Sequence, residues 1–390
     1  MHTENDQKAL PGTPLYVHVP FCAAKCHYCD FYSFAAETSD SSGFVNLLLK
    51  EAELRAPLNP QTVFIGGGTP TWLSHDELIA LFNGLDRVTN FRSSAVEVTV
   101  ECNPESLDKQ KAELLLELGA NRLSIGFQSL RPEILELFGR VHQVDQSFAA
   151  YRAAREAGVP AISIDMIYAA PGEKIETWET DLARVIELGP DHISAYNLTF
   201  EEGTAFEQWR KSGKLEPQEE ETELRFFWRT REIMETAGYG AYEISNFSLI
   251  DQQCSHNVNY WHNGAYVGIG PSAVSKVGPR RTGNPRTYEN WGRRIGKGSP
   301  PLFDWEESLP PLEALGETWW LGLRLRTGLD PAHARSVASF SNSHDPCVEE
   351  AERLREQGLL RFTGSHYQLT DQGLPLADAV AKQFLVPGSG

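Results

Sequence analysis

The sequence predicts an α/β protein: a partial (β/α)6, TIM-like barrel followed by a smaller, mostly helical, winged-helix-like C-terminal domain. Two observations predict the barrel. Segments rich in valine and isoleucine alternate six times with segments whose apolar residues recur at helical spacing, as in parallel strands joined by helices. Polar or glycine-rich groups also follow strand after strand. A doubly wound sheet is the alternative. Polar groups that converge at the carboxyl ends of the strands favour a barrel, because the active sites of barrels lie at that end.

Several predicted helices begin or end at a recognisable signal. Gly119, Gly158 and Gly189 directly follow three of them, where a left-handed residue commonly ends a helix. Ser74 and Glu77 form a capping-box pattern at the start of another. The predicted strands are Leu15–Phe21, Val63–Gly66, Val96–Cys102, Arg122–Gly126, Ile162–Tyr168 and His192–Thr199. The predicted helices are Phe44–Ala56, Ser74–Val88, Glu105–Leu118, Asp145–Ala157, Glu176–Leu188 and Glu221–Thr236.

The chain divides into four predicted parts. We expect a flexible tail at 1–13, the core at 14–275, a basic linker at 276–299 and a C-terminal domain at 300–390. In the last part, helical patterns around 313–324, 348–356 and 371–384 surround a hairpin pattern at 359–369, which is a winged-helix-like order. Because this domain is rich in acidic residues, we expect a lid or partner-docking role there and no binding to nucleic acid.

Net charge and composition exclude several classes of protein. Lys and Arg total 35 and Asp and Glu total 53, so the formal net charge is −18, and such a chain is a poor generic binder of nucleic acid or anionic lipid. No stretch of about 18 uncharged apolar residues occurs, and the N-terminus has no apolar signal region. We expect a cytoplasmic protein that is not an integral membrane protein.

Basic residues are concentrated in one segment. Residues 276–297 hold seven Lys or Arg residues against the single acid Glu289. One interpretation is a solvated, flexible linker. The other is a docking site for a carboxylate-bearing ligand or an acidic partner.

Three of the six cysteines form a C-x3-C-x2-C array, at Cys22, Cys26 and Cys29. Thiolates at such spacing can hold one iron–sulfur cluster. A [4Fe–4S] cluster normally takes four thiolates, so three leave one iron open for a substrate. The alternatives are a zinc site completed by His27 or His18, and a chance grouping of core cysteines.

A family resemblance is carried by this array and the residues around it. The segment Tyr16-Val-His-Val-Pro-Phe-Cys22-x3-Cys26-x-Tyr28-Cys29 resembles the cluster loop of radical S-adenosylmethionine (SAM) proteins. More narrowly, it resembles the oxygen-independent coproporphyrinogen III oxidase-like family, over most of residues 14–275 and more weakly in the C-terminal domain. The resemblance implies a [4Fe–4S] cluster on the three cysteines, with SAM chelating the fourth iron.

The same resemblance implies SAM contacts at successive strand ends. The run Gly66-Gly67-Gly68-Thr69-Pro70 would hold the methionine end of SAM, since a glycine-rich turn allows close backbone approach. Glu101 would accept hydrogen bonds from the SAM amino group or a ribose hydroxyl, and Cys102 beside it is expected to be a core residue. The implied SAM-binding residues are Tyr16, Tyr28, Gly67, Gly68, Thr69, Glu101, Gln128, Arg140 and Asp165.

Two motifs distinguish the branches of this family. In the decarboxylating oxidases the cluster motif continues to a fourth cysteine, whereas Asp30 and Phe31 follow Cys29 here. The heme-chaperone branch carries His-Asn-x-x-Tyr-Trp, and this chain has that motif at 256–261. The resemblance implies heme contacts from His256, Asn257, Tyr260 and Trp261. A structural histidine that packs the barrel is the alternative, and Cys254 is a weaker candidate to ligate or attach heme.

Together these features predict a protein that binds heme and transfers it to an acceptor hemoprotein, for example a membrane respiratory enzyme. A [4Fe–4S] cluster and SAM would have a supporting role. The alternative is an oxygen-independent coproporphyrinogen III dehydrogenase, which converts propionates to vinyls with a SAM-derived radical. A simple electron carrier is disfavoured, because the polar and glycine-rich groups at the strand ends would then have no function. Val274 stands where many relatives are expected to have histidine, so the site is expected to differ there.

Overall fold

The computed structural model describes residues 10–37, 41, 43–298 and 302–385. All six predicted strands form, in the predicted order, as neighbouring parallel strands of one sheet. Shorter strands complete the core. The core strands are β1 (Leu15–Val19), β2 (Phe21–Cys22), β3 (Phe34–Ala35), β4 (Thr62–Gly67), β5 (Glu97–Cys102), β6 (Arg122–Gln128), β7 (Ala161–Tyr168), β8 (His192–Asn197), β9 (Gly240–Ala241), β10 (Asn246–Ser248) and β11 (Val267–Ile269).

The sheet has the order β11-β1-β4-β5-β6-β7-β8-β10-β9. Strand β11 adds to β1 in parallel, whereas β10 runs antiparallel to β8. Leu15 lies opposite Val63 and Val19 lies opposite Gly67, so the carboxyl ends of neighbouring strands meet at one rim. Within the described residues β11 and β9 are the two edges of this sheet, and the predicted partial barrel is confirmed.

Helices of the core cover the outer face of this sheet. The predicted capping box at Ser74 and Glu77 is present, and Gly119, Gly158 and Gly189 all have positive φ angles beyond their helices. One predicted helix starts later than expected, because Asp108 caps it after a 3-10 turn at Pro104–Ser106. The helices are α1 (Phe44–Arg55), α2 (His75–Thr89), α3 (Phe91–Ser94), α4 (Lys109–Glu117), α5 (Pro132–Phe138), α6 (Val144–Glu156), α7 (Ile175–Glu187), α8 (Ala205–Lys211), α9 (Glu220–Thr236) and α10 (Ser255–Trp261).

Alternate residues of each strand face opposite sides of the sheet. On the outer side Val17, Ile65 and Ile125 are fully buried among helix side chains. On the inner side, polar residues such as Ser124 and Asp165 line the barrel interior. The apolar core therefore lies between sheet and helices, and the barrel lumen is polar.

The predicted basic linker is an ordered part of the core wherever the structure describes it, up to residue 298. It contains β12 (Val274–Val277), β13 (Arg280–Gly283) and α11 (Tyr288–Lys297), and β13 also pairs with β14 (Trp305–Ser308). Four of its basic residues are engaged within the chain: Lys276 with the Asn263 carbonyl, Arg280 with Glu306, Arg281 with Glu307 and Glu317, and Arg294 with Asp304. The acidic residues that neutralise these charges come after residue 297 in the sequence. The charge of 276–297 alone therefore indicated a solvated linker.

A buried carboxylate joins α1 to this segment. Glu51 is 0% exposed, and its oxygens accept hydrogen bonds from Gly270 N at 2.8 Å, Asn284 Nδ2 at 2.7 Å and Trp291 Nε1 at 2.7 Å. Arg55, one turn later on α1, places its Nε 3.1 Å from the same carboxylate. The segment after β11 is thereby fixed to α1.

The C-terminal domain has its own apolar core. Trp319 stacks on Phe384 with ring centroids 4.8 Å apart, and Leu315 and Tyr367 are buried in the same core. Its elements are α12 (Pro311–Gly322), α13 (Pro331–Val337), α14 (Pro346–Glu356), β15 (Leu360–Thr363), β16 (His366–Leu369) and α15 (Ala377–Lys382). The hairpin forms as the sequence predicts, whereas α13 was not predicted.

All four predicted parts of the chain lie partly outside the described residues, the core at 38–40 and 42. Of the predicted tail, residues 1–9 are outside, and Gly12 N donates to the Leu58 carbonyl at 3.1 Å. Residue 299 of the linker and residues 300–301 and 386–390 of the last domain are also outside. No helix in the described ranges combines the length and apolar character needed to cross a membrane.

We predict that Trp291→Ala destabilises the protein by about 3–5 kcal/mol, because it empties a fully buried site and removes a hydrogen bond to Glu51. Urea unfolding measures this change. The matched control is Arg293→Ala, an exposed residue on the same helix, which should change stability by less than about 0.5 kcal/mol. Equal stability of the two variants would contradict the integration of α11 into the core.

Candidate functional site

The three cysteines of the array lie on one loop at the carboxyl-end rim of the barrel. Cys22 ends β2, and Cys26 and Cys29 follow in the loop toward β3. The loop is anchored by a hydrogen bond from His27 N to the Phe138 carbonyl at 2.9 Å. All three cysteines line one cavity of about 1060 Å³.

Each cysteine sulfur has a hydrogen-bond donor beside it, namely Arg140 Nη1 3.6 Å from Cys26 Sγ, Lys25 Nζ 3.8 Å from Cys29 Sγ and Thr69 Oγ1 3.5 Å from Cys22 Sγ. Burial raises the pKa of Cys22, and the Thr69 hydroxyl opposes that rise. Burial likewise raises the pKa of Cys29, and the Lys25 ammonium opposes it. Two cations and a hydroxyl beside three sulfurs fit a thiolate-bound, anionic cluster.

The histidines of the zinc alternative are engaged elsewhere. His18 Nδ1 lies 2.9 Å from Tyr16 OH, and its Nε2 lies 2.8 Å from the Tyr32 carbonyl. His27 Nδ1 bonds the Leu137 carbonyl at 2.8 Å. Within the described residues, no three His, Cys, Asp or Glu side chains form a group that suits a single metal ion. His18, with both ring nitrogens engaged, is therefore unsuited to complete a zinc site.

The glycine run after β4 forms a close backbone cradle beside the cysteine loop. A Cβ atom added to Gly68 would lie 2.7 Å from the Val19 carbonyl oxygen, and Gly67 has a φ of 98°. Gly67 N donates to Glu101 Oε2 at 2.8 Å. Burial raises the pKa of Glu101 to about 7. The hydrogen bond from Gly67 N opposes this rise, and the nearby Asp165 carboxylate adds to it. A larger residue at position 68 would fill the cradle.

Arg140 connects the cysteine loop to the next strand ends. Its Nη2 donates to Asn103 Oδ1 at 2.7 Å and to the Gly126 carbonyl at 3.0 Å. Asn103 Nδ2 in turn donates to Thr69 Oγ1 at 2.7 Å. Asn103 was not among the predicted site residues, although its place directly after β5 is the signal that could have found it.

Two further predicted SAM residues also lie on the rim. Gln128 ends β6 at a register shift, with a φ of 65°, and its side chain lines the cavity. Asp165 accepts hydrogen bonds from Ser194 Oγ at 2.6 Å and Ser124 Oγ at 2.9 Å. Burial raises the pKa of Asp165, and these serines oppose the rise.

The two predicted tyrosines lie in different places. Tyr28 lines the main cavity and packs edge-on against Phe138, with ring centroids 5.1 Å apart. Tyr16 lies deeper, on an inner cavity of about 480 Å³ that shares Gly67 and Asp165 with the main one. The structure thus brings eight of the nine predicted SAM residues together on the main cavity and places Tyr16 below them.

The C-terminal domain closes one side of the main cavity. Leu374, Leu376 and Lys382 line it together with the cysteine loop. Leu376 is 47% exposed and Phe31, which also lines the cavity, is 61% exposed. The predicted lid role is compatible with this placement.

The His-Asn-x-x-Tyr-Trp motif lies at the opposite end of the barrel. His256 is 1% exposed; its Nδ1 lies 2.8 Å from Thr62 Oγ1 and its Nε2 lies 3.0 Å from Tyr260 OH. Thr62 begins β4, whereas the glycine cradle ends it, about 16 Å away along the strand. Burial lowers the pKa of His256 to about 3. With both ring nitrogens hydrogen-bonded, His256 has the geometry of a structural histidine, and heme ligation would require these bonds to break.

The other motif residues share this placement. Asn257 and Tyr260 line the inner cavity, and the Trp261 ring faces the Arg324 guanidinium at 4.9 Å. Val274 also lines the inner cavity, where a histidine was expected. The packing does not show why valine stands there.

Neither of the other cysteines near the barrel is accessible. Cys254 is 4% exposed and donates to Glu97 Oε1 at 3.3 Å. Burial raises its pKa, which disfavours heme attachment through this thiol. Cys102 is buried in the apolar core, as expected.

Comparison with known proteins identifies the family. Residues 16–185 match the Radical SAM superfamily model, and residues 309–376 match the HemN C-terminal domain model. The chain is 34% identical to the heme chaperone HemW of Bacillus subtilis over 95% of this chain and 98% of that protein. The chain belongs to the HemW family of radical SAM proteins. Zebrafish (Danio rerio) radical S-adenosyl methionine domain-containing protein 1, mitochondrial, is 30% identical over 95% of this chain and 86% of its own length.

A solved structure confirms the fold of this HemW-family chain. Coproporphyrinogen III oxidase (HemN) from Escherichia coli superposes with a TM-score of 0.82, at 23% identity, over 97% of this chain and 91% of that one. At this identity the likeness concerns architecture only. It confirms the radical SAM core and the helical C-terminal domain together.

We predict that Cys22→Ala, Cys26→Ala and Cys29→Ala each bind at least about tenfold less iron than wild type after anaerobic reconstitution with iron and sulfide, because each removes a predicted cluster ligand. Iron and sulfide assays with absorbance spectra measure the loss. The controls are Cys102→Ala and Cys347→Ala, whose thiols are buried in the two apolar cores. Full iron content in any of the three loop variants would contradict the predicted ligand set.

Proposed function

We propose that the chain binds heme and transfers it to an acceptor hemoprotein, with a [4Fe–4S] cluster and SAM bound at the barrel rim. The observation that carries this proposal is the similarity, over nearly the full length of both chains, to proteins named heme chaperone HemW. The geometry of the barrel rim supports the proposal, because three cysteines, a glycine cradle and convergent polar side chains line one cavity there.

The cluster would be held by Cys22, Cys26 and Cys29. When bound, the cluster would supply single-electron chemistry, and the iron that no cysteine ligates would be open to SAM. Arg140 and Lys25 offset the negative charge of the thiolates. Asn103 holds the Arg140 guanidinium in place from the next strand.

SAM would lie along the strand ends next to the cysteine loop. The backbone of Gly67 and Gly68 allows a polar amino acid to approach closely. Glu101, whose pKa burial raises to about 7, offers an acceptor for a cationic amino group, and that group would favour its ionised form. Asp165, which accepts hydrogen bonds from Ser124 and Ser194, lines both the main and the inner cavity.

A coproporphyrinogen dehydrogenase is the alternative function. The HemN-like fold is compatible with it, but Asp30 and Phe31 occupy the positions after Cys29 where the resemblance expects a further cysteine in that enzyme. Phe31 instead offers an exposed apolar ring at the cavity. This difference supports the chaperone.

The acceptor is proposed to be a hemoprotein, for example a respiratory enzyme in a membrane. Transfer would then need contact between the two proteins, since a free heme would partition into lipid or aggregate. The predicted cytoplasmic location is part of this proposal.

The proposal is tested with the cluster-loaded chain under anaerobic conditions. We expect wild type to bind one heme and, in the presence of SAM, to restore activity to respiratory membranes prepared from heme-starved cells. Heme supplied alone at the same concentration is the control. In a parallel reaction with coproporphyrinogen III, SAM and a reductant, we expect no vinyl product. Vinyl product with consumption of SAM, or no heme binding, would overturn the proposal.

A further inference from the structure

Two of the three hydrogen-bond donors beside the cysteine sulfurs share one partner. Thr69 Oγ1 lies 3.5 Å from Cys22 Sγ, and Arg140 Nη1 lies 3.6 Å from Cys26 Sγ. The side-chain amide of Asn103, which directly follows β5, contacts both of these donors. One amide therefore links the donors that face two predicted cluster ligands.

The direction of each hydrogen bond in this network follows from the arginine, because a guanidinium can only donate. Arg140 Nη2 lies 2.7 Å from the Asn103 amide, so the amide atom that faces it must be the oxygen Oδ1. The amide nitrogen Nδ2 then faces Thr69 Oγ1, at 2.7 Å. An amide nitrogen only donates, so the Thr69 hydroxyl oxygen is the acceptor in this bond.

The network leaves the hydroxyl proton of Thr69 for a sulfur. The Thr69 side chain is 2% exposed, which keeps water from competing for this proton. Among the described residues, the other hydrogen-bond partner of Thr69 Oγ1 is Cys22 Sγ. Because Asn103 already donates to this oxygen, the single hydroxyl proton is directed at the sulfur.

The guanidinium of Arg140 is fixed in a similar way. Its Nη2 donates to the Gly126 carbonyl at 3.0 Å as well as to Asn103, and this leaves Nη1 beside Cys26 Sγ. Lys25, the donor beside the third cysteine, is exposed, and its Nζ also lies 3.0 Å from Ser33 Oγ. The donors held firmly against the sulfurs are therefore the two that Asn103 contacts.

Hydrogen bonds to the sulfurs are one of the factors that set the reduction potential of an iron–sulfur cluster. They raise the potential, because they stabilise the state with more negative charge. Side chains behind the ligands can therefore tune a metal site as well as orient it. A neutral amide suits this place, since it offers an acceptor to a guanidinium and a donor to a hydroxyl at the same time.

We propose that Asn103 is a positioning residue for the cluster site. It directs the hydroxyl proton of Thr69 at one cysteine sulfur and the guanidinium of Arg140 at another. The two hydrogen bonds raise the reduction potential of the bound cluster. This inference rests on the proposed cluster-binding function, and it requires no contact between Asn103 and the cluster or SAM.

Asn103→Asp tests the proposal with almost no change of shape. The new carboxylate still accepts from Arg140 but has no N–H for Thr69, so the hydroxyl turns to donate to the carboxylate and leaves the sulfur. At a fixed potential, we expect the ratio of reduced to oxidised cluster to fall at least about tenfold, which is about 59 mV for one electron. Redox titration of the reconstituted chain without SAM, followed by electron paramagnetic resonance, measures this ratio.

A double-mutant cycle separates the hydrogen bond from the added charge. Thr69→Val removes the hydroxyl at nearly constant shape and should lower the same ratio at least about threefold in the otherwise wild-type chain. In the Asn103→Asp background it should change the ratio less than about 1.5-fold, because the hydroxyl no longer faces the sulfur. Thr69→Ser, which keeps the hydroxyl, should match wild type.

Asn83→Asp is the matched control. Asn83 also accepts from an arginine, with its Oδ1 2.9 Å from Arg92 Nη2, but it lies exposed on α2 and should match wild type. A wild-type ratio in Asn103→Asp, the same fall in Asn83→Asp, or equal effects of Thr69→Val in both backgrounds would overturn the inference and leave cluster binding standing.

Iron content is measured on every sample, so that loss of the cluster is distinguished from a changed potential. If Asn103→Asp binds less iron than wild type, the two Thr69 variants decide the question, and equal ratios in Thr69→Val and Thr69→Ser would overturn the inference. Wild type that takes up no cluster would overturn the proposed function itself.

Discussion

The structure depends on one constraint: polar and apolar side chains alternate along parallel strands whose carboxyl ends meet at a single rim. Residues such as Val17 and Ile65 bury one face of the sheet under helices, which leaves a polar lumen on the other face. The cysteine loop, the glycine cradle and Arg140 then come together because each follows the end of a strand. The rim can therefore bind a charged cofactor while the stabilising core stays outside the lumen.

The lumen connects two predicted functional features, because Asp30 and Phe31 after the cluster cysteines and His256 on α10 all line the inner cavity. The cluster loop occupies the carboxyl-end rim, whereas α10 closes the opposite end through Glu97, whose carboxylate accepts from Ser255 N at 2.7 Å and His256 N at 3.0 Å. His256 thereby stabilises the closed end of the barrel.

Local patterns were sufficient to predict the six strands, the capping box and the cysteine loop, because each depends on residues close together in sequence. Contacts between distant residues account for what was missed. The charges of 276–297 are neutralised by acids at 304–317, and β11 is a three-residue strand that exists only through its pairing with β1.

The central claim is that one chain binds a [4Fe–4S] cluster at the barrel rim and binds heme as well. The most direct measurement is the content of non-heme iron and of heme in one anaerobically reconstituted sample after titration with heme. The account predicts about four non-heme irons and one heme per chain. Heme binding only in chain that has lost its cluster iron, or no heme binding, would contradict the account.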